Sequence, residues 1–509
     1  MIRNNNLIKF FSYFVYLNLI NFFCHFLPYS RPIISADDLG YYFRNKFWLK
    51  NFLEAPDRPI RYIWQDFQNQ FIGLDNELAL LFLIISTSIL IFSIFILNFI
   101  LLKDLKTSFI ISFIFIIISI NSEIYSSSTF IHINIVTSLY IYSTIFFIQS
   151  VNKKNYFYFL ISIVAYTIAI LWYEIGFFIP IIYLYYLLFL EKRNSSIFKF
   201  IAPFFILIIL YFFYRLNIFN LDIFNSSHGH ALKISFKGLF YGIYDIFNLF
   251  LGRSFLRSIV YGIYYFFNLS IIWIIFYFII NLLIIYLIFR LIKNVKKINL
   301  SNYSLFFFIL FILSLLPNIL NNSIGGRHTI IGCIFISFII FVFIQHIKHK
   351  SYNIMIYLFI FIFLIVSQGN NWIQIDSLKI QKNVFSYLDE NKDRLESYKY
   401  ILIDRKSLAN NIPHTFFDQE YNQLRTYYGA QCLEDWGIKS MIGHILKENP
   451  NNTKLLVANE IINKSLNDNE LTILVTNGDA YRNIKNVDKK LPLNKTMIIT
   501  YKDIYNKLD

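Results

Sequence analysis

The sequence predicts a polytopic α-helical membrane protein of about eleven transmembrane helices, with interfacial helices and a small C-terminal α/β domain outside the membrane. Three observations support this fold class. Of the 509 residues, 56% are hydrophobic, and the mean hydropathy of +0.51 is far above that of a soluble domain. Apolar stretches of roughly 17 to 25 residues recur along the chain. These stretches stop near residue 368, which divides the chain into a membrane part, 1–368, and a polar part, 369–509.

The predicted spans are long enough, or nearly so, to cross a bilayer. They lie at 7–28, 78–102, 107–121, 129–149, 156–172, 175–190, 197–216, 264–292, 303–320, 329–347 and 352–368. The first has a basic start but no small-residue cleavage site, so it is predicted to be a retained anchor and not a signal peptide.

The charge pattern predicts the topology. With the N-terminus in the cytoplasm, the inner loops and span ends carry fifteen Lys and Arg residues, opposed by only Asp104 and Glu191. This satisfies the positive-inside rule and puts the polar C-terminal part outside. Most carboxylates of the membrane part, and both of its long loops, 29–77 and 217–262, then face outward. Function is therefore expected at the outer ends of the helices.

The charge distribution argues against a nucleic-acid partner, and the cysteine spacing argues against a zinc site or a disulfide framework. Almost all of the net charge of +15 comes from residues 1–368, which have 27 basic and 13 acidic residues, whereas residues 369–509 have 19 basic and 18 acidic residues. The basic excess therefore belongs to the membrane part, and no nucleic-acid partner is predicted. Cys24, Cys333 and Cys432 lack metal-ligand spacing, so neither a zinc site nor a disulfide framework is indicated.

The first outer loop begins with two adjacent carboxylates, Asp37 and Asp38. Near a low-dielectric surface one of them should hold its proton more tightly, which suits a general base or a metal ligand. The alternative is a helix N-cap. Two amphipathic segments follow and predict interfacial helices. Arg58 and Arg61, one turn apart on the second, are spaced to hold a phosphate or to reach lipid headgroups.

Further ionisable residues lie at outer span ends, where they are costly unless they face a cavity or a partner. They are Glu123, Glu174, Arg327 and His328. The alternatives are an ion pair from Glu174 to Arg215 or Arg253, and headgroup anchoring by Arg327.

The second outer loop holds His228 and His230, which could ligate a metal but also suit a solvated turn. A third predicted interfacial helix follows, with Arg253 and Arg257 in reach of phosphate.

The outer-face pattern resembles the GT-C superfamily of polytopic membrane glycosyltransferases, which use polyprenyl-phosphate sugars. Matching elements are the pair Asp37 and Asp38, the segment Asp57-Arg58-Pro59, the Glu174 turn, and Pro317 followed by Gly325-Gly326-Arg327-His328. The chain departs from the pattern in having Asp-Asp where many relatives have Asp-Glu, which leaves open which carboxylate acts.

The resemblance implies an inverting sugar transfer in cell-surface glycan or glycolipid assembly, at a membrane that is expected to be the bacterial inner membrane. A carboxylate would act on the hydroxyl of a glycan, lipid or protein acceptor, and Arg58, Arg61 and Arg327 would stabilise the leaving phosphate. No cofactor is predicted with certainty, and a divalent metal is left open, with Asp38, His228 and His230 as candidate ligands. A polysaccharide polymerase or ligase is the nearest alternative, and a transporter or flippase is the alternative from another class.

The polar C-terminal part alternates β-rich stretches with helical ones. YKYILID, KLLVANEI, LTILVTNG and KTMIITYK predict strands, and SLKIQKNVFSYLDENKDRLES predicts a helix. About 140 residues are enough for a core of their own, so we expect a substrate-shaping or structural module.

Overall fold

The computed structural model describes most of the membrane part and portions of the C-terminal part. The described residues are 4–29, 59–73, 76–118, 124–125, 128–191, 197–219, 240, 243–244, 247, 253–293, 301–321, 330–346, 350–404, 415–418, 423–426, 431–433, 442, 445–446, 455–458, 460–465, 470–477 and 485–499.

Helices dominate the described residues up to 397. They are α1 (Asn4–His25), α2 (Pro59–Phe67), α3 (Asn76–Leu102), α4 (Leu105–Ile117), α5 (Ile131–Lys153), α6 (Tyr156–Trp172), α7 (Ile179–Tyr185), α8 (Ile197–Phe219), α9 (Arg253–Phe267), α10 (Ile271–Ile292), α11 (Ser301–Asn321), α12 (Ile330–His346), α13 (Lys350–Glu390) and α14 (Lys392–Ser397). A helix lies in each of the eleven predicted spans.

The chain is a helical membrane protein. Within the described residues, five helical stretches are long and apolar enough to cross a membrane: Leu7–His25, Asn76–Leu102, Ile131–Lys153, Ile271–Ile292 and Ile354–Asp376. Several shorter apolar helices accompany them. One large cluster of buried aliphatic and aromatic side chains joins most of these helices. Many exposed Ile, Leu and Phe side chains lie on the outside of the bundle, as expected where the solvent is lipid.

Polar contacts join helix ends that the charge pattern assigns to the same side. At the predicted outer ends, His25 of α1 lies with its Nε2 2.9 Å from the carbonyl oxygen of Ile116 in α4 and 3.3 Å from the Ser367 hydroxyl of α13. At the predicted inner ends, the Tyr186 hydroxyl lies within hydrogen-bond distance of two acceptors, the side-chain oxygens of Asn152 at 3.0 Å and of Glu191 at 2.9 Å. The C-terminal ends of α1 and α4 thus meet beside Ser367 of α13, and the C-terminal end of α5 meets the segment that follows α7.

Helix α9 packs against the bundle along α13. Phe255 and Phe363 have ring centroids 6.3 Å apart, and further along both helices Gly262 meets Gly369 backbone to backbone. The two helices therefore run side by side in the same chain direction. The sequence predicted a third helix lying across the ends of the spans. The helix is amphipathic as expected, but its partly buried face, including Ile259, packs on the core of the bundle.

Two predicted boundaries differ from the structure. The apolar stretch 264–292 is not one helix, because the chain turns at 268–270 between α9 and α10. The Asn268 side-chain amide donates to the Tyr264 carbonyl at 2.8 Å, which ends α9. Helix α13 continues from the last predicted span through Gly369 to Glu390. The predicted helical segment 377–397 is therefore the extension of α13 followed by α14.

Nine strands are described after residue 397: β1 (Tyr400–Asp404), β2 (Thr415–Asp418), β3 (Gln423–Thr426), β4 (Gln431–Leu433), β5 (Leu455–Ala458), β6 (Glu460–Ser465), β7 (Glu470–Asn477), β8 (Lys485–Pro492) and β9 (Thr496–Ile499). Strand β1 lies between β5 and β9 in a parallel sheet, and two antiparallel sheets have the orders β2-β3-β4 and β6-β7-β8. Each of the four β-rich stretches predicted from the sequence contains a strand. The separate domain itself stays a prediction.

Two amides join α10 to α13 inside the bundle. Asn281 and Gln368 are fully buried and exchange two hydrogen bonds, of 3.0 and 2.8 Å. We expect Asn281→Leu or Gln368→Met alone to lower the free energy of unfolding by about 1–2 kcal/mol, because each leaves the other amide buried without its partner.

The double variant Asn281→Leu/Gln368→Met should recover most of that loss, since no polar atom of the pair then remains buried. Unfolding in mixed micelles, arranged as a double-mutant cycle, measures the coupling. Additive losses in the double variant would contradict the interpretation.

Candidate functional site

Glu174 lies in a short 3₁₀ turn, Glu174–Gly176, between α6 and α7. Its side chain is half-buried, and the Tyr211 hydroxyl of α8 donates to its Oε1 at 2.9 Å. A carboxylate at the end of a span is costly to desolvate unless a donor or a ligand meets it. The tyrosine therefore fixes one oxygen of Glu174 in a set position.

Two other buried tyrosines hold the backbone on either side of Glu174. The Tyr140 hydroxyl donates to the carbonyl of Tyr173 at 2.8 Å, and the Tyr166 hydroxyl donates to the carbonyl of Phe177 at 2.7 Å. The turn is thus bonded to α5, α6 and α8, and its shape is set by the bundle.

Gly176 allows this turn to lie against the Tyr140 ring. A Cβ atom at position 176 would lie 2.6 Å from Cγ of Tyr140 and 2.7 Å from both Cδ atoms. These distances are shorter than any normal carbon contact, so a larger residue would displace either the ring or the turn.

Helix α2 brings Arg61 to the same region. Trp64, one turn after Arg61, packs its ring 5.6 Å from that of Trp172, the last residue of α6. Behind them, the Gln68 amide donates to the Ser128 hydroxyl at 3.2 Å and ties the end of α2 to the turn that precedes α5. Because Trp172 is two residues before Glu174, the helix of Arg61 and the Glu174 turn are neighbours.

The two indoles present donors that face no acceptor in the described part of the chain. Trp64 Nε1 and Trp172 Nε1 are both buried there without a hydrogen-bond partner. An indole nitrogen only donates, and buried tryptophans normally have an acceptor. The two indole N–H groups are therefore suited to bind a ligand with acceptor oxygens, such as those of hydroxyl or phosphate groups.

A buried histidine completes this region. His132, at the start of α5, lies 6.2 Å from the Tyr173 ring in an edge-on contact. We call the whole group the helix-end cluster. It consists of Arg61, Trp64, His132, Trp172, Tyr173, Glu174 and Tyr211. Among the described residues, no group of three or more His, Cys, Asp and Glu is arranged to hold a metal ion.

The structure thus brings two of the predicted site residues, Arg61 and Glu174, to neighbouring elements. The predicted residues Arg253 and Arg257 lie in α9, which packs on α13. The others fall outside the described residues: Asp37, Asp38, Arg58, Glu123, His228, His230, Arg327 and His328. Their roles stay predictions.

The sequence analysis missed His132, Trp172 and Tyr211. The rule that selected Glu174, an ionisable group close to hydrocarbon, also selects His132 and could have found it. Comparison of the sequence with protein-family models and with curated proteins gives no match.

Proposed function

We propose that this chain is an inverting glycosyltransferase that moves a sugar from a polyprenyl-phosphate donor to a glycan, lipid or protein acceptor at the outer membrane face. In this proposal it crosses a bacterial inner membrane eleven times, has a cytoplasmic N-terminus, and acts in cell-surface glycan or glycolipid assembly. The sheets after residue 397 form an extracytoplasmic α/β domain. The acceptor carries hydroxyl groups, and no nucleic acid takes part.

The observation that supports the proposal best is the helix-end cluster. It combines a carboxylate held by Tyr211, two buried indole donors and the helix of Arg61, all at the end of an apolar bundle. A sugar on a lipid phosphate needs the same combination, because its hydroxyls bind carboxylates and donors while its phosphate binds cations. Glu174 binds a sugar hydroxyl, and Arg61 with Arg58 binds the phosphate.

The reaction needs a base on the acceptor and a positive group at the leaving phosphate. Asp37 or Asp38 takes the proton of the acceptor hydroxyl, whose oxygen attacks the anomeric carbon. The bond from that carbon to the phosphate oxygen breaks, and the polyprenyl phosphate leaves with the electron pair. Arg327 stabilises the negative charge that develops, strongly so in a dry setting. Glu123, Arg253, Arg257 and His328 make further contacts with substrate.

The test is turnover in liposomes. The protein is reconstituted with a radiolabelled polyprenyl-phosphate sugar and a hydroxyl-bearing acceptor lipid, and Asp37→Asn, Asp38→Asn and Arg327→Ala are compared with wild type. We expect wild type to form the glycoside, and Arg327→Ala and at least one of the aspartate variants to lose about 10²-fold or more of the rate.

Asp104→Asn is the matched control. Asp104 caps α4 by accepting from the Thr107 amide at 2.9 Å, and asparagine caps equally well, so turnover should be unchanged. Retention of full turnover by all three test variants would overturn the proposed site. Accumulation of labelled substrate inside sealed vesicles with no new glycosidic bond would instead indicate a transporter, and addition of whole repeat units from a lipid pyrophosphate would indicate a polymerase or ligase.

A further inference from the structure

Helix α13 carries a run of polar side chains, Ser367 to Gln374, inside the protein. Part of this run forms hydrogen bonds with other helices and with the segment after α1. Gln368 pairs with Asn281, and the Asn371 amide donates to the carbonyl of Leu27, the segment that leaves α1, at 2.7 Å. These bonds hold α13 against α10 and against the end of α1.

Two amides of the same run are different. Asn370 is 1% exposed and Gln374 is 2% exposed, and none of their four side-chain nitrogen and oxygen atoms has a hydrogen-bond partner in the described structure. They are one helical turn apart, so they lie on one face of α13. Four unpaired polar atoms on one buried face are unusual, because each costs the free energy of its lost hydration.

The face that carries Asn370 and Gln374 lies between two packed faces. On one side Gly369 meets Gly262 of α9. On the other side Ser367 meets His25 of α1. From the 100° step between helical residues, positions 370 and 374 fall between these two contacts. The unpaired amides are therefore located between α9 and the end of α1.

The chemistry of this site is neutral and balanced. Each carboxamide offers two N–H donors and one carbonyl acceptor. Nearby Asp376 lies on the opposite side of α13 and is bonded to Lys379 at 3.1 Å. An anion would be bound only by the N–H groups and a cation only by the carbonyl oxygens, so either ion would leave two of the four polar atoms unpaired. A hydroxyl group both donates and accepts, so vicinal hydroxyls match the two amides.

We propose that Asn370 and Gln374 bind the hydroxyl groups of a sugar between α9 and the end of α1. The proposed function supplies the source of that sugar, the group carried on the lipid phosphate. The two amides at this site recognise hydroxyl groups of the sugar ring, whereas Arg58 and Arg61 bind the phosphate. It gives the protein a means to distinguish a glycosylated lipid from the same lipid phosphate without its sugar.

The experiment measures binding to a neutral probe, independently of turnover. The protein is placed in nanodiscs, and the dissociation constants of octyl glucoside, octyl galactoside and octyl mannoside are compared with that of octyl tri(ethylene glycol) ether, which has the same alkyl chain and no sugar. We expect wild type to bind at least one glycoside about tenfold more tightly than the ether. The near-isosteric variant Asn370→Leu/Gln374→Met should bind all four probes equally.

Thermal unfolding without a probe is a second measurement, and it distinguishes loss of the sugar site from loss of folding. The melting temperature of the double variant should exceed that of wild type, because four unpaired buried atoms are removed. Asn281→Leu, the matched control at a bonded amide, should melt below wild type and keep the glycoside preference.

Two outcomes would overturn the inference: a wild type with no preference for any glycoside, or a double variant that keeps the preference. A chain that shows the preference but forms no glycoside in liposomes would retain the sugar site and lose the transferase proposal.

Discussion

Replacing Gly369 with alanine should separate α9 from α13 and lower the free energy of unfolding by about 3 kcal/mol or more. A Cβ atom at position 369 would overlap the carbonyl oxygen of Gly262 and would lie 2.7 Å from its carbonyl carbon and 3.0 Å from its Cα. All three atoms belong to the backbone, so no side-chain rotation relieves the overlap. One helix must move, and the packing of α9 beside α13 is lost.

Unfolding in mixed micelles measures the loss, and Gly332→Ala is the matched control. A Cβ atom at position 332 would lie 3.0 Å from Cδ2 of Phe311, which is a side-chain atom that can shift by a few tenths of an ångström. We therefore expect a loss of about 1 kcal/mol or less there. Equal losses at the two glycines would show that α9 does not approach α13 as closely as described.

The sequence predicted the helices of the membrane part well, because hydropathy is a property of continuous stretches. The predicted span 156–172 coincides with helix α6. Because hydropathy is averaged over a window of residues, the sequence predicted one span at 264–292. Only Asn268 and Ser270 interrupt the two apolar helices there. A single turn that is closed by one side-chain hydrogen bond does not lower the mean hydropathy of a window around it.

Gly369 shows a second limit of the sequence. Its position at the end of an apolar run suggested a boundary, but α13 continues through it to Glu390. The absence of a side chain serves a contact with Gly262, which is over one hundred residues earlier in the chain. Local sequence carries no signal for such a contact.

The charged residues of the candidate site could be predicted from the sequence, whereas the aromatic residues could not. Glu174 and Arg61 stand out because ionisable groups are rare beside hydrocarbon. Trp172 and Tyr211 do not stand out in a chain that is 20% aromatic. Their selection depends on the tertiary contacts with Trp64 and Glu174.

The same contacts make Glu174→Gln the most informative change for the proposed function. Glutamine keeps the size of the side chain and can still accept the hydrogen bond from Tyr211, so the fold should be retained. It removes the negative charge that would bind a sugar hydroxyl beside the indole donors. We expect turnover of the polyprenyl-phosphate sugar to fall by about 10²-fold or more, as when a preorganised polar group is removed from an active site.

Glu191→Gln separates this effect from a general response to losing a carboxylate. Glu191 also accepts a tyrosine hydrogen bond at 2.9 Å, from Tyr186, but it lies at the opposite helix ends, beside Asn152. Its replacement should leave turnover unchanged. The two substitutions are chemically identical and differ only in the end of the bundle at which they lie. The ratio of the turnover rates of the two variants therefore shows at which end the reaction takes place. Equal rates for the two variants would place the reaction away from the helix-end cluster.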